Sequence, residues 1–145
     1  MLIREVLSGK TGAEIISVGP DTSITEAVKC LAENGIGSLA VLSDDVLMGF
    51  ITERDILRGM HARGGSLVDL KVSDLMEKEP LVATLDDSVD YARDAMTKSH
   101  TNHLVVLDGS KLFGVISFHD VARACLKEAN FENALLKRYI KHWPE

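Results

Sequence analysis

The sequence reads Gly-Phe-Ile-Thr-Glu-Arg-Asp at residues 49–55 and Gly-Val-Ile-Ser-Phe-His-Asp at residues 114–120. In both segments a glycine stands near the end of an apolar run, a hydroxyl residue follows three positions later, and an aspartate three positions after that. The similarity extends outward without a gap, so that residues 15–60 align with residues 80–125. Two copies of one unit usually pack against each other, because neither buries its apolar side alone. The chain is therefore predicted to be a pair of similar units, and a site in one should recur in the other.

Each copy has the pattern of a β-α-β-β-α unit. The first copy has strand-like apolar runs at residues 15–18, 39–42 and 46–51. Apolar residues at helical spacing predict one helix after the cap residue Ser23 and another from Thr52. The second copy repeats this order. The predicted fold class is α+β (mixed α/β), with two such units packed about a pseudo-twofold axis and an extra C-terminal helix.

The repeat divides the chain into five predicted segments. These are an N-terminal lead-in (residues 1–12), repeat 1 (13–60), a linker (61–79), repeat 2 (80–127) and a C-terminal helical tail (128–145). On the tail, an apolar stripe at helical spacing comprises Leu136, Tyr139, Ile140 and Trp143. The apolar side of such a helix is expected to be buried against another surface. The helix therefore either folds back onto its own repeat or packs across a twofold axis. We expect the second arrangement and hence a homodimer.

The composition is that of a globular protein with a buried core, since 46% of the residues are apolar and 26% are charged. No run is long enough to cross a membrane, and the first residues do not resemble a signal peptide. The net charge of −6 argues against a nucleic-acid partner, because no basic stripe offsets it. Cys30 and Cys125 occupy apolar positions of predicted helices, which favours reduced core thiols in a cytoplasmic protein.

The repeated segment offers groups that suit a ribose phosphate at a strand-to-helix junction. Backbone N–H groups and the helix dipole favour a phosphate there, and the glycine lets a ligand approach the backbone. Thr52 adds a hydroxyl donor, Arg54 adds positive charge, and Asp55 can accept hydrogen bonds from both ribose hydroxyls. Their equivalents in repeat 2 are Ser117, His119 and Asp120. Because a carboxylate repels a phosphate, the aspartate must face the ribose while the phosphate lies nearer the hydroxyl residue.

Other interpretations of these residues stay open. A hydroxyl residue three positions before an aspartate is also a capping box, which needs no ligand. His100, His103 and His119 suggest a metal site, but they lack the Cys or carboxylate spacing typical of one, and we predict no metal. An enzyme is disfavoured, because no residue has the context of an activated nucleophile or base and no Gly-rich phosphate loop is present.

The doubled unit resembles a pair of cystathionine β-synthase (CBS) domains over residues 3–127. The resemblance rests on the β-α-β-β-α order, on the Asp-x-Ser helix starts at residues 21–23 and 86–88, and on the two Gly-x-x-Thr/Ser-x-x-Asp segments. It implies a regulatory protein without a catalytic cofactor that binds an adenosine-containing ligand between the repeats. The expected ligand is AMP, followed by ATP or NAD.

The resemblance also implies which residues contact the ligand. It assigns the ribose hydroxyls to Asp55 and Asp120, and contacts with ribose or phosphate to Thr52 and Ser117. The other assigned contacts are Ile16 and Val18 beside the adenine of one cleft, Leu81 and Ala83 beside that of the other, and Gly37 and His103 from the segments before the second strands. Many family members carry a basic residue and a proline in those segments, and the lack of fixed charge here disfavours a triphosphate.

The sequence therefore predicts a cytoplasmic sensor of adenine nucleotides. Since no catalytic or transport domain is attached, it is expected to signal to a protein partner in trans. The alternative is a ligand-free module that serves structure or protein interaction.

Overall fold

The computed structural model describes residues 1–8 and 15–141 of the chain. Its elements are α1 (Ile3–Ser8), β1 (Ser17–Val18), α2 (Ile24–Asn34), β2 (Ser38–Ser43), β3 (Val46–Thr52), α3 (Glu53–Ala62), α4 (Val72–Leu75), β4 (Val82–Thr84), α5 (Val89–Ser99), β5 (His103–Asp108), β6 (Lys111–Ser117) and α6 (Phe118–Lys141). The order β-α-β-β-α occurs twice, from β1 to α3 and from β4 to α6. The predicted fold class is confirmed.

Each repeat forms one three-stranded sheet, in the order β1-β2-β3 or β4-β5-β6. The first strand runs parallel to the second, and the second and third form an antiparallel hairpin. Ser17 pairs with Ala40 in one sheet, and Val82 pairs with Val105 at the equivalent place in the other. The gap-free alignment of the two sequence copies therefore corresponds to equal strand registers.

Helices α2 and α5 begin as their local sequences predict. The hydroxyls of Ser23 and Ser88 accept hydrogen bonds from the backbone N–H three residues further on, at 3.1 and 3.0 Å. Helix α2 ends before Gly35, whose φ of 61° is a conformation that glycine adopts readily. Helix α5 ends in the same left-handed conformation at His100, with a φ of 52°.

The short helices that precede the repeats are exchanged between them. Helix α1 precedes repeat 1 but joins the core of repeat 2, whereas α4 precedes repeat 2 but joins the core of repeat 1. Ile3 of α1 and Val72 of α4 are fully buried there. The Ile3 N–H donates to the carbonyl of Asp87 at 2.9 Å, and the Val72 N–H donates to the carbonyl of Thr22 at 2.8 Å. Each repeat thus completes its core with a segment from elsewhere in the chain.

Each repeat has its own hydrophobic core, centred on its sheet. Leu39 and Ile51 lie in the core of repeat 1, and their equivalents Leu104 and Ile116 lie in that of repeat 2. Strands β3 and β6 are in contact with each other. Because α3 and α6 start where these strands end, the first turns of both helices lie near the boundary between the repeats.

Helix α6 continues through the predicted tail as far as Lys141. Leu136, Tyr139 and Ile140 are 58%, 63% and 70% exposed. The alternative in which this stripe folds back onto its own repeat is therefore wrong for these residues, because α6 runs on as one helix. Trp143 lies outside the described residues. Within residues 1–8 and 15–141, no helix combines the length and apolarity needed to cross a membrane.

Candidate ligand clefts between the repeats

Two clefts lie between the repeats, and residues of both repeats line each of them. Cleft 1 has a volume of about 560 Å³, and its walls include Ile15, Ile16, Ile36, Phe113, Val115 and Ser117. Cleft 2 has a volume of about 900 Å³, and its walls include Thr52, Arg54, Asp55, Leu81, His100 and Thr101. Gly37 and His103 line both clefts. Ile16 and Ser117 are the sequence equivalents of Leu81 and Thr52, so the pseudo-twofold axis relates the two clefts.

Thr52 is the last residue of β3 and the N-cap of α3. Its backbone N–H and its hydroxyl both donate to Asp55 Oδ2, at 2.9 and 3.1 Å, and the Asp55 N–H donates to Thr52 Oγ1 at 3.2 Å. The capping box offered as the ligand-free interpretation is therefore present. Both residues are half-buried and line cleft 2. Since an ionised carboxylate has about four acceptor positions, the box leaves Asp55 able to accept further hydrogen bonds.

Ser117 and Asp120 form the equivalent pair in repeat 2. The Ser117 N–H donates to Asp120 Oδ2 at 2.9 Å, and the Asp120 N–H donates to Ser117 Oγ at 3.1 Å. Ser117 lines cleft 1, but Asp120 is only 8% exposed and is not among the residues that line this cleft. The structure thus gives Asp120 a capping role, whereas Asp55 both caps a helix and faces a cleft.

The cations at the two junctions also differ. Arg54 lines cleft 2, and its guanidinium donates to the backbone carbonyl of His100 in the other repeat at 3.3 Å. His119, at the equivalent position, is exposed and is not among the residues that line cleft 1. Its Nε2 lies 2.8 Å from the guanidinium of Arg123. Because a guanidinium only donates, Nε2 is the acceptor in this contact.

The residues assigned to the adenine fall into two groups. Ile16 lines cleft 1 and Leu81 lines cleft 2, and each directly precedes the first strand of its sheet. Val18 and Ala83 lie within those strands and pack with the cores of their repeats, and Ala83 is only 2% exposed. The structure therefore brings the first pair, but not the second, to the cleft walls.

The two glycines of the repeated segment have different surroundings. A Cβ atom at Gly49 would lie 2.7 Å from the carbonyl oxygen of Glu77 and 2.8 Å from the sulfur of Met76. The expectation that this glycine admits a ligand is wrong, because the end of the linker fills the space. A Cβ atom at Gly114 would lie 3.8 and 3.9 Å from the two methyl carbons of Leu7, and Gly114 lines cleft 1.

Cleft 2 contains side chains that the sequence motifs did not reveal. They are Arg58 of α3, Tyr91 of α5, and Glu77 and Glu79 of the linker. Arg58 did carry a signal, because it stands four residues after Arg54 and therefore shares its side of the helix. The other three reach the cleft only through the packing of the repeats against each other, which local spacing does not encode.

The histidines of the metal alternative are divided between different surfaces. His100 and His103 line cleft 2, whereas His119 lies beside Arg123 on α6. In the part of the chain that the structure describes, no three His, Cys, Asp or Glu residues form a group that could hold a metal ion.

Comparisons with known proteins place the chain in a family. The CBS domain model matches it twice, at residues 4–62 and 72–127. The mitochondrial CBS domain-containing protein CBSX3 of Arabidopsis thaliana is 32% identical over 126 residues, which span 83% of this chain and 61% of that protein. A CBS-domain protein from Burkholderia ambifaria superposes with a TM-score of 0.83 at 31% identity, covering 88% of this chain and 95% of the other. CBSX2, solved in complex with AMP, superposes with a TM-score of 0.67 at 27% identity, covering 80% and 90%. The chain belongs to the CBS domain family and is a tandem pair of such domains.

Proposed function

We propose that this protein is a regulatory module that binds an adenosine-containing ligand between its CBS repeats, with AMP as the preferred ligand. The arrangement of cleft 2 carries this proposal. The first turn of α3 and Arg54 offer donors and charge for a phosphate, and Asp55 offers acceptors for ribose hydroxyls. His103 lines the same cleft and packs on the buried Phe50, with ring centroids 6.0 Å apart, and its partly exposed ring supplies a surface for a base. CBSX2, which shares this fold, is a CBS protein that binds AMP.

The charges in cleft 2 favour a monophosphate over a triphosphate. Arg54 and Arg58 are the only arginine or lysine side chains among the described residues that line it. Their two positive charges match the charge of about −1.5 to −2 that a phosphate monoester carries at neutral pH. Four carboxylates line the same cleft as well, those of Glu53, Asp55, Glu77 and Glu79, and they repel any additional phosphates. We therefore rank AMP above ATP.

Calorimetric titration with AMP, ADP, ATP, NAD and S-adenosylmethionine tests this proposal, with GMP as a control for the base. We expect AMP to bind about tenfold more tightly than ATP, a difference of about 1.4 kcal/mol. If none of these ligands binds, the alternative of a ligand-free interaction module is the better description. If GMP binds as tightly as AMP, the module does not select adenine.

The proposed role is regulatory rather than catalytic, and the contact of Arg54 with the carbonyl of His100 suggests how occupancy is transmitted. This hydrogen bond joins the two repeats. A phosphate that binds Arg54 competes with the carbonyl and so changes a contact between the repeats, which a protein partner in trans can detect. Cys30 and Cys125 are free thiols, which is consistent with the reducing cytoplasm.

We further propose a homodimer in which α6 contacts a second copy of the chain. Phe118, Leu126, Leu136 and Ile140 are 45%, 62%, 58% and 70% exposed. Their spacing places them within about a quarter turn of one another along one side of α6. Exposed apolar side chains arranged in this way commonly mark a protein interface.

Sedimentation velocity tests the dimer. Deletion of residues 132–145 should yield a monomer or a clearly weaker dimer, and the double variant Leu136→Ser with Ile140→Ser should do the same in the full chain. Arg138→Ser, on the opposite side of the helix, is the matched control and should remain dimeric. A deleted protein that stays fully dimeric at low micromolar concentration would assign the interface to other helices.

A further inference from the structure

The walls of the two clefts differ in polarity at equivalent positions. Gly35, Ile36 and Ser38 line only cleft 1, whereas His100, Thr101 and Asn102 line only cleft 2; Gly37 and His103, from the same two segments, line both. The pseudo-twofold axis relates these segments, because each joins a long helix to the central strand of its sheet. Cleft 2 therefore has hydrogen-bonding side chains where cleft 1 has glycine and isoleucine.

The distribution of fixed charge differs in the same direction. Arg54 and Arg58 of α3 line cleft 2 together with the carboxylates of Glu53, Asp55, Glu77 and Glu79, so this cleft offers cations for a phosphate as well as acceptors for hydroxyls. The described residues of cleft 1 include no Asp, Glu, Lys or Arg, and Ile16, Ile36 and Phe113 give it apolar walls. An anion loses its hydration in such a site without gaining a partner charge, which is costly.

The helix starts are also placed differently. Thr52, Glu53, Arg54 and Asp55 all line cleft 2, so the positive end of α3 opens onto that cleft. At the start of α6 only Ser117 is among the lining residues of cleft 1. The electrostatic attraction that an N-terminus offers a phosphate is therefore directed into cleft 2.

We propose that the two clefts bind chemically different ligands: a phosphorylated purine nucleotide in cleft 2 and an uncharged purine nucleoside in cleft 1. This inference rests on the proposed function and adds to it that each cleft has its own ligand, a division of ligands between the clefts. A volume of about 560 Å³ in cleft 1 lies within the range of small-molecule sites, about 300–1,000 Å³. Its apolar side chains suit the faces of a base, and the Ser117 hydroxyl suits a sugar hydroxyl.

Nuclear magnetic resonance titration of ¹⁵N-labelled protein locates each ligand directly. Gly114 and Val115 line only cleft 1, and Arg58 and Tyr91 line only cleft 2, so their amide signals report on separate sites. As the ligand concentration is raised, we expect adenosine to shift the signals of Gly114 and Val115 first, and AMP to shift those of Arg58 and Tyr91 first. If both ligands shift the same pair first, the division is wrong while the proposed function stands. If neither ligand shifts any of them, both the division and the proposed function fail.

Removal of one arginine tests the basis of the division. Arg58→Ala should weaken AMP binding about tenfold, because it removes one phosphate partner, and it should leave adenosine binding unchanged. Arg123→Ala, at the equivalent position of α6, is the matched control and should change neither affinity. Equal weakening of AMP and adenosine by Arg58→Ala would show that the arginine supports the fold rather than the phosphate, and would overturn the division.

Discussion

Repeat 1 and repeat 2 have equal strand registers, but the same glycine has different surroundings in each. In repeat 1 the linker covers Gly49, because Phe50 exchanges two backbone hydrogen bonds with Glu77 at 2.9 and 2.8 Å. In repeat 2, a Cβ atom at Gly114 would make only ordinary van der Waals contacts with Leu7, and Gly114 lines cleft 1. A motif that is repeated in sequence therefore serves packing in one copy and a cleft wall in the other.

The largest effect is expected from Gly49→Ala. The added methyl group would lie 2.7 Å from the Glu77 carbonyl oxygen, a backbone atom that is held by the pairing with Phe50. Either the β3 pairing or the linker must shift, and such overpacking costs about 3 kcal/mol at the upper end of its usual range. Urea denaturation of the parent and the variant measures this loss in the free energy of unfolding.

Gly114→Ala is the matched control, because its methyl group would have no neighbour closer than 3.8 Å. We expect the free energy of unfolding to change by about 0.5 kcal/mol or less. Equal losses in both variants would mean that the glycines serve the same purpose in the two repeats, and the comparison would not hold.

Local sequence predicted the features that depend on local contacts. The succession of strands and helices along the chain and the helix starts at Ser23 and Ser88 follow from residues within a few positions of each other. The exchange of α1 and α4 was not predicted, because it depends on where Ile3 and Val72 dock after the chain has turned. A signal existed in the matching apolar positions of residues 2–7 and 71–76, but these are offset by 69 residues instead of 65 and so fall outside the gap-free repeat.

The candidate site was predictable only in part for the same reason. Thr52, Arg54 and Asp55 lie in a motif and line cleft 2 as a group. Tyr91 and Glu79 reach that cleft from other parts of the chain and have no motif. Which aspartate faces a cleft could not be read from spacing either, since Asp55 and Asp120 occupy the same position of the repeat.

This difference between the aspartates leads to the second prediction. Asp55→Ala should lower the affinity for AMP about ten- to a hundredfold, because a charge-assisted hydrogen bond to the ribose contributes about 1.5–3 kcal/mol. Asp120→Ala should leave the affinity for AMP unchanged. Calorimetric titration of both variants separates them.

Stability measurements supply the control, because both aspartates also cap a helix. Each aspartate is the third helical residue of a capping box, and its replacement removes the hydrogen bond from the N-cap backbone N–H, which costs about 0.5–1.5 kcal/mol. Both variants must therefore be shown to be folded at the temperature of the titration before their affinities for AMP are compared. If Asp120→Ala weakens AMP binding as much as Asp55→Ala, then both aspartates contact ligand, as the family resemblance implies. The low exposure of Asp120 would then not exclude a contact with the ligand.

The smallest effect concerns the ends of α2 and α5, where Gly35 and His100 share a left-handed backbone conformation. Glycine adopts this conformation without steric cost, whereas a residue with a Cβ is strained by about 1 kcal/mol. His100→Gly should therefore raise the free energy of unfolding by about 0.5–1 kcal/mol, and Gly35→Ala should lower it by a similar amount. Thermal unfolding of the two variants measures these opposite shifts. A lower melting temperature for His100→Gly would show that contacts of the histidine side chain in cleft 2 outweigh the strain, and the two helix ends would then differ in function as well as in sequence.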